Sequence, residues 1–276
     1  MQPALSTVCT LASPLENDLA HYAAGQCDAV ELWLTKVETY LQKNSADDFL
    51  ELLAEHKIAA PVAAYQGGLL DSQGDRRAET WRHFRKRLEL CSQLGVGLLV
   101  VAADVAPPLE QEDLDRVRVS LRQAAEAAQD CGVRLALEPQ AGSAICNNLQ
   151  TALAMVEETA SPALGICLDA FHFAVGPSKT EDLALLSCEN LAHVQLCDLA
   201  GVPRELATDA DRILPGDGDL PLEPIVRRLR EIDYQGCVSV ELLNPQIFQV
   251  PPRQFGEIAI TALRKVLGLA KMAEEE

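Results

Sequence analysis

The amino-acid sequence predicts an α/β fold, a single (β/α)8 TIM barrel, and three observations carry this prediction. Eight short apolar segments recur along the 276 residues, and each is followed by a stretch with helical periodicity. No linker or low-complexity segment divides the chain. Eight-unit barrels of this length commonly form one domain. We therefore expect one domain over residues 1–276, with its chemistry at the carboxyl ends of the strands.

The predicted strands are short and apolar, and many are bounded by glycine, proline or polar residues. They lie at 4–9, 28–33, 58–64, 97–103, 133–138, 163–169, 191–197 and 237–242. The segments between them have the apolar spacing of amphipathic helices. These predicted helices lie at 15–24, 46–57, 77–94, 111–131, 148–160, 180–188, 221–233 and 252–270. This regular alternation favours a barrel over an open, doubly wound sheet.

The composition indicates a globular protein with a large core and an acidic surface. The chain is 48% hydrophobic, and its 23 basic and 41 acidic residues give a net charge of −18. Such a charge opposes binding to nucleic acid or to an anionic membrane surface. No apolar run of about 18 residues predicts a membrane span. The first residues lack the basic region of a secretory signal, so we predict a cytoplasmic protein.

The cysteines indicate reduced thiols. Their number, nine, is odd, and no two form a C-x-x-C pair. This pattern argues against a zinc ribbon and against a disulfide framework. Most of them lie in apolar segments, where a thiol packs as a small hydrophobic group.

Polar side chains end four consecutive predicted strands, the fifth to the eighth. They are Glu138, Asp169, Gln195 and Glu241. A barrel would bring them to one mouth, where closely spaced carboxylates repel one another unless a cation lies between them. A single carboxylate after a strand is more often a helix cap or a loop residue, but four polar ends in succession favour a metal site. His193 shares a strand face with Gln195 and by itself is typical of a core histidine.

Five motifs resemble those of the xylose isomerase-like barrel superfamily, in the same order: "LALEP", "GICLDAFH", "HVQLCD", "RILPGDGDLPL" and "GCVSVEL". This superfamily includes sugar and sugar-phosphate isomerases and epimerases, related dehydratases and the endonuclease IV group. The resemblance implies that Glu138, Asp169 and Glu241 bind a divalent metal. It also implies that His172 faces the substrate and that Arg212 contacts substrate oxygens. A loop salt bridge from Arg212 to Asp209 or Asp211 is the alternative.

The fourth metal-ligand position departs from the pattern of the epimerases. It is usually a histidine there, whereas this chain has Gln195, which offers a carbonyl oxygen. An all-oxygen ligand set favours one hard cation, Mn²⁺ or Mg²⁺, with Co²⁺ or Zn²⁺ as alternatives. A glutamine at this point after "CLDAFH" also resembles the 3-dehydroshikimate dehydratases of the same superfamily.

The resemblance implies a metal-dependent sugar or sugar-phosphate isomerase or epimerase. Glu138 and Glu241 would exchange a proton with the carbon next to the carbonyl of a small polyhydroxy substrate. One alternative is a dehydratase of a hydroxy-keto compound such as 3-dehydroshikimate or inosose. Another is a sugar-binding barrel without catalysis. An endonuclease is rejected, because the second and third strand ends, "VELWLTK" and "VAAYQGG", lack histidine ligands.

The loops after the first four strands should set the shape of the substrate site. Candidate lining residues there are Glu31, Trp33, Tyr65, Gln66 and Asp104. The polar segment 198–214 is interpreted either as a lid over the mouth or as an oligomer contact. The sequence leaves open whether the chain is a monomer or a homo-oligomer.

Overall fold

Eight parallel strands close into a barrel in which each strand pairs with the next and β8 pairs with β1. The computed structural model describes residues 1–269. The strands are β1 (Gln2–Ser6), β2 (Ala29–Trp33), β3 (Ala59–Gln66), β4 (Leu98–Ala103), β5 (Arg134–Pro139), β6 (Leu164–Asp169), β7 (Leu191–Leu196) and β8 (Cys237–Val240). The predicted barrel is thus confirmed.

Helices alternate with the strands along the chain. They are α1 (Leu15–Ala24), α2 (Leu34–Tyr40), α3 (Ala46–His56), α4 (Gly74–Gln93), α5 (Gln111–Asp130), α6 (Leu149–Thr159), α7 (Ala170–Val175), α8 (Leu222–Glu231) and α9 (Pro252–Leu267). Short 3-10 helices lie at Thr7–Thr10, Thr180–Leu185, Asp209–Asp211 and Ile247–Gln249. Within residues 1–269, none of the helices combines the length and the hydropathy needed to cross a membrane.

Two helices follow their strands so directly that the sequence pattern does not reveal them. Helix α2 begins at Leu34, immediately after β2, with no polar side chain capping its first turn. Helix α7 begins immediately after β6, because the Asp169 carboxylate accepts the backbone N–H of His172 at 2.9 Å. The predicted helix at 180–188 is instead a 3-10 helix of six residues.

Two apolar clusters hold the barrel together. A large cluster lies between the barrel and the helices, and a small one includes alternate residues of several strands, such as Ala4, Ala136 and Cys167. All nine cysteines are free thiols, and seven of them are buried. The strand register places Asp169 beside Gln195 and Gln195 beside Ser239, so these side chains enter the barrel at similar depth.

Candidate metal centre

Three carboxylates meet at the carboxyl end of the barrel. Glu138 lies in β5, Asp169 ends β6, and Glu241 follows the last residue of β8. One oxygen from each lies within 4.8 Å of the other two, and all three residues are buried. Parallel strands of similar register account for this convergence, because their carboxyl ends reach one rim of the barrel.

Burial and mutual repulsion set the ionisation of the three groups. Burial first, and then the charge of Asp169, raises the pKa of Glu138 well above its usual value. Burial also raises the pKa of Glu241, where the nearby glutamates add to the effect of burial and Arg212 opposes it. Burial alone would raise the pKa of Asp169, but the charge of Arg212 holds it below its usual value. The cluster therefore resists carrying three negative charges.

Arg212 partly neutralises the carboxylates. Its side chain is 1% exposed. Nη1 donates to Asp169 Oδ2 at 2.6 Å and to Glu241 Oε2 at 3.1 Å, and Nε donates to Asp209 Oδ1 at 2.9 Å. The guanidinium carbon lies 4.5 Å from the centre of the Phe171 ring. Arg212 therefore makes the loop salt bridge to Asp209 and also reaches the mouth; its contact with substrate remains a prediction.

The 198–214 segment is folded back over the barrel and carries Arg212 into the mouth. Asp198 and Ile213 form an antiparallel bridge, with N–H···O distances of 2.9 Å in both directions. The Asp198 carboxylate accepts backbone N–H groups of Gly216 and Leu220 at 3.0 and 2.8 Å. Asn244, after β8, donates to the carbonyl of Arg212 at 3.0 Å. These contacts fix both ends of the arginine-bearing turn.

His172 lies beside the carboxylates with one ring nitrogen directed toward them. Its Nε2 is 4.0 Å from Glu138 Oε1 and 3.5 Å from Arg212 Nη2. The Ala141 N–H donates to Nδ1 at 3.4 Å, whereas Arg212, which can only donate, faces Nε2, so the two contacts favour opposite tautomers of the neutral ring. Burial lowers the pKa of this imidazole, which favours the neutral form.

Gln195 is buried between Glu31 and β6. Its amide nitrogen donates to both Glu31 carboxylate oxygens at 3.2 Å, and its amide oxygen accepts from the Cys167 thiol at 3.1 Å. A carboxylate only accepts hydrogen bonds, so Glu31 determines which end of the amide faces it. The carbonyl oxygen therefore faces β6, the strand that carries Asp169. Metal ligation by Gln195 stays a prediction.

Glu31 has a role that the sequence pattern does not reveal. It is a candidate lining residue by sequence, but the structure buries it completely. His193 Nε2 and the Ser239 hydroxyl donate to Glu31 Oε2 at 2.6 and 2.7 Å. Burial alone would raise its pKa, but the hydrogen bond and charge of His193 hold that pKa below its usual value. The only sequence signal is a charged residue inside the apolar strand "AVELW".

The donor set fits a divalent cation. When ionised, the three clustered carboxylates carry three negative charges, and Arg212, which also pairs with Asp209, supplies one positive charge, which leaves at least two negative charges in a nearly dry site. One divalent cation balances that excess and relieves the repulsion that raises the pKa of Glu138 and Glu241. Carboxylate oxygens are ligands that Mg²⁺ and Mn²⁺ accept, and Zn²⁺ binds them as well.

Comparison with known proteins identifies enzymes of related sequence. The chain is 27% identical over 244 residues to an inosose isomerase of Bacillus velezensis, and the match covers 86% of each chain. It is also 27% identical over 286 residues to a 3-dehydroshikimate dehydratase of Pseudomonas aeruginosa. That match spans 100% of this chain and 43% of the dehydratase.

Solved structures share the whole barrel. A crystal structure of IolI protein with a binding zinc atom has a TM-score of 0.91 and 25% identity, and the alignment covers 99% of this chain and 100% of that one. A D-psicose 3-epimerase from Clostridium cellulolyticum, at 18% identity and a TM-score of 0.79, shares the fold over 97% of this chain and 99% of its own. A family model described as a xylose isomerase-like TIM barrel matches residues 20–265. The chain therefore belongs to the xylose isomerase-like TIM barrel family.

Proposed function

We propose that the chain is a divalent-metal-dependent isomerase or epimerase that moves a proton at the carbon next to a carbonyl group. The substrate is a small polyhydroxy carbonyl compound, either a sugar, a sugar phosphate or a cyclic ketone such as inosose. The observation that carries the proposal is the convergence of Glu138, Asp169 and Glu241 within 4.8 Å of one another in a buried mouth. Relatives named inosose isomerase support the reaction class.

The two glutamates have different partners, which suits different roles. Within residues 1–269 no group donates a hydrogen bond to the Glu138 carboxylate, and His172 Nε2 lies 4.0 Å from its Oε1. Glu241 is held by Arg212 at 3.1 Å. We therefore assign proton abstraction to Glu138 and proton return on the opposite face to Glu241. Arg212 and His172 orient the oxygens of the substrate.

Glu138, Asp169, Glu241 and the carbonyl oxygen of Gln195 would hold the cation. When bound, a divalent cation polarises a carbonyl and stabilises the negative charge that develops on its oxygen. We propose Mn²⁺ or Mg²⁺ because every ligand in this set is an oxygen, and because Gln195 stands where the epimerases usually have a histidine. The zinc atom in the IolI structure supports the binding of a divalent cation by this fold.

The test is proton–deuterium exchange in D₂O with the Mn²⁺-loaded protein. The panel contains ketoses, their phosphates, inosose and 3-dehydroshikimate, and NMR follows the proton next to the carbonyl. We expect exchange with at least one compound, even without net conversion. A protein that binds Mn²⁺ and exchanges no proton in any compound contradicts the proposal. A protein that fails to retain Mn²⁺ or Mg²⁺ at micromolar concentrations points instead to a sugar-binding barrel.

Dehydration is a second candidate, favoured by the position of His172. The His172 imidazole lies 4.0 Å from Glu138 and, in the tautomer with its proton on Nε2, can supply the proton that a departing hydroxyl needs. The whole chain also aligns with the 3-dehydroshikimate dehydratase, and Gln195 matches the resemblance to that group. Loss of water from 3-dehydroshikimate would identify the dehydratase, whereas exchange and conversion of inosose alone would identify the isomerase.

A further inference from the structure

A cavity of about 380 Å³ opens at the carboxyl end of the barrel and includes Asp104, which follows β4. Ala102 of β4 pairs with Glu138 of β5, so the cavity lies on the same rim as the metal centre. It lies between the ends of β2, β3 and β4 and the first turns of α4. A volume of this size is at the small end of the range for ligand pockets. The loops that follow β2, β3 and β4 line this cavity, and the sequence predicts that loops in this region set the shape of the substrate site.

Two aromatic rings form one wall of this cavity. Trp33 and Tyr65 lie with their ring centres 5.1 Å apart and their planes tilted by 33°. Their faces suit the C–H surface of a six-membered ring. Burial raises the pKa of the Tyr65 phenol, and the charges of Asp104, Glu138 and Glu241 raise it further. The charges that act on this phenol thus include those of Asp104 in the cavity and of two metal-centre carboxylates.

The cavity contains two arginines, only one of which is paired. Arg87 donates to both oxygens of Glu38 at 2.7 and 2.9 Å and to the carbonyl of Tyr65 at 2.9 Å, so it builds the wall. Arg76 lies in the first turn of α4 and is exposed. No carboxylate within residues 1–269 lies within 4.0 Å of its side-chain nitrogens. Arg76 therefore retains its donors for a ligand.

A glycine turn places an acceptor next to Arg76. Gly68 has φ of +71°, a conformation that favours glycine, and its N–H donates to Asp104 Oδ2 at 2.7 Å. A Cβ on Gly67 would lie 2.7 Å from the same oxygen, so glycine is needed there for space. Arg76 Nη2 lies 4.0 Å from where a Cβ on Gly68 would be. The Arg76 guanidinium and the Asp104 carboxylate thus both lie next to the turn at Gly67 and Gly68.

We propose that this cavity binds the carboxylate of a cyclic hydroxy-keto acid, with Arg76 as its partner, while the ketone reaches the metal centre. Asp104 accepts a hydrogen bond from a hydroxyl group of the ligand, and the Trp33–Tyr65 wall contacts its ring. A guanidinium fork matches a carboxylate with two parallel hydrogen bonds. This inference rests on the proposed function and adds the charge of the substrate: an anionic ketone is preferred over a neutral one such as inosose.

The test is calorimetric binding to the Mn²⁺-loaded full chain, with 3-dehydroshikimate as the anionic probe and inosose as the neutral one. Arg76→Gln should weaken binding of 3-dehydroshikimate about tenfold or more, because it removes the charged hydrogen-bond donors that face the carboxylate. Binding of inosose should not change. Arg85→Gln is the matched control, since Arg85 is also an exposed arginine on α4 but lies outside the cavity.

Three outcomes overturn the inference: 3-dehydroshikimate does not bind, Arg76→Gln binds it as tightly as the wild type, or the control variant loses as much affinity. Added salt should weaken the anionic probe more than the neutral one. Binding is read as an affinity, independently of exchange or conversion, so the proposed function fails separately. If binding depends on Arg76 but no compound exchanges a proton in D₂O, the proposed reaction is wrong, whereas the proposed carboxylate-binding site is supported.

Discussion

At the residue scale, the three carboxylates of the metal centre differ more in their partners than in their positions. The Asp169 carboxylate accepts hydrogen bonds from Arg212 Nη1 at 2.6 Å and from the His172 backbone N–H at 2.9 Å, so it is the most strongly fixed of the three. Glu241 shares Arg212, and Glu138 receives no donor from the described part of the chain. A fixed ligand and a freer base can therefore coexist in one cluster of like charges.

Replacement of Glu241 tests the two-glutamate mechanism. Glu241→Gln keeps the volume and the hydrogen bond from Arg212 but removes the carboxylate that returns the proton. Net conversion of the substrate should slow by about 10²–10⁴-fold, the usual contribution of a positioned acid or base. Far-ultraviolet circular dichroism should be unchanged. Glu181→Gln, an exposed glutamate, is the control. Unchanged conversion by Glu241→Gln would remove this residue from the chemistry.

The Glu31–Gln195 pair allows a sharper test of the amide ligand. If Glu31 holds the amide oxygen toward the metal, Glu31→Gln should weaken Mn²⁺ binding about 10–100-fold, as is typical of groups that orient a ligand. In a Gln195→Ala background the same change should have little further effect, because residues that act through one another are not additive. Equilibrium dialysis of metal-depleted protein measures both values.

Asp182→Asn is the control for these two substitutions, because Asp182 is also a buried carboxylate. It lies on the 3-10 helix outside the barrel and accepts a hydrogen bond from the Gln150 amide at 2.6 Å. Asp182→Asn should leave Mn²⁺ affinity unchanged. Additive effects of Glu31→Gln and Gln195→Ala would mean that Glu31 supports the fold but does not orient the amide.

At the scale of elements, the 198–214 segment is held to the barrel at Asp198. Asp198 is 1% exposed, and its carboxylate accepts three backbone N–H groups, from Leu199, Gly216 and Leu220. Gly218 permits this packing, because a Cβ there would lie 2.3 Å from the Leu199 carbonyl oxygen. Asp198, two residues after the end of β7, thus holds this segment in place, whereas the acidic residues at the ends of β5, β6 and β8 form the metal centre.

Loss of the Asp198 carboxylate should loosen this segment. Asp198→Ala leaves buried N–H groups without acceptors, so the free energy of unfolding should fall by about 1–3 kcal/mol or more. Urea unfolding measures this change. Asp217→Asn, an exposed carboxylate in the same loop, should have an effect within about 0.5 kcal/mol. Equal urea midpoints for the two variants would show that Asp198 does not anchor the segment.

At the scale of the whole molecule, the sequence predicts what depends on topology and misses what depends on long-range contacts. Once eight strands are identified, the parallel barrel forces Glu138, Asp169 and Glu241 to one rim, so their convergence is predictable. Glu31 is different, because its partners His193 and Ser239 lie 162 and 208 residues away along the chain. No local pattern encodes such a pair. Helices α2 and α7 were missed because each begins where a strand ends.

The fold as a whole couples proton binding to metal binding, because burial in the barrel raises the pKa of Glu138 and Glu241. A carboxyl with a raised folded-state pKa binds more protons in the folded than in the unfolded chain. Its contribution to the free energy of unfolding therefore falls as pH rises above the ordinary glutamate value of about 4.5 and up through the raised value. A divalent cation displaces these protons, so its affinity rises over the same range.

The difference in melting temperature between Mn²⁺-saturated and metal-depleted protein should accordingly increase as pH rises from about 4.5. Differential scanning calorimetry at fixed Mn²⁺ concentration measures it, and titration calorimetry in two buffers should show proton release on binding. In Glu138→Gln the increase should be smaller, because one titrating ligand is lost. A pH-independent difference, or binding without proton release, would mean that the cation does not bind to Glu138 and Glu241.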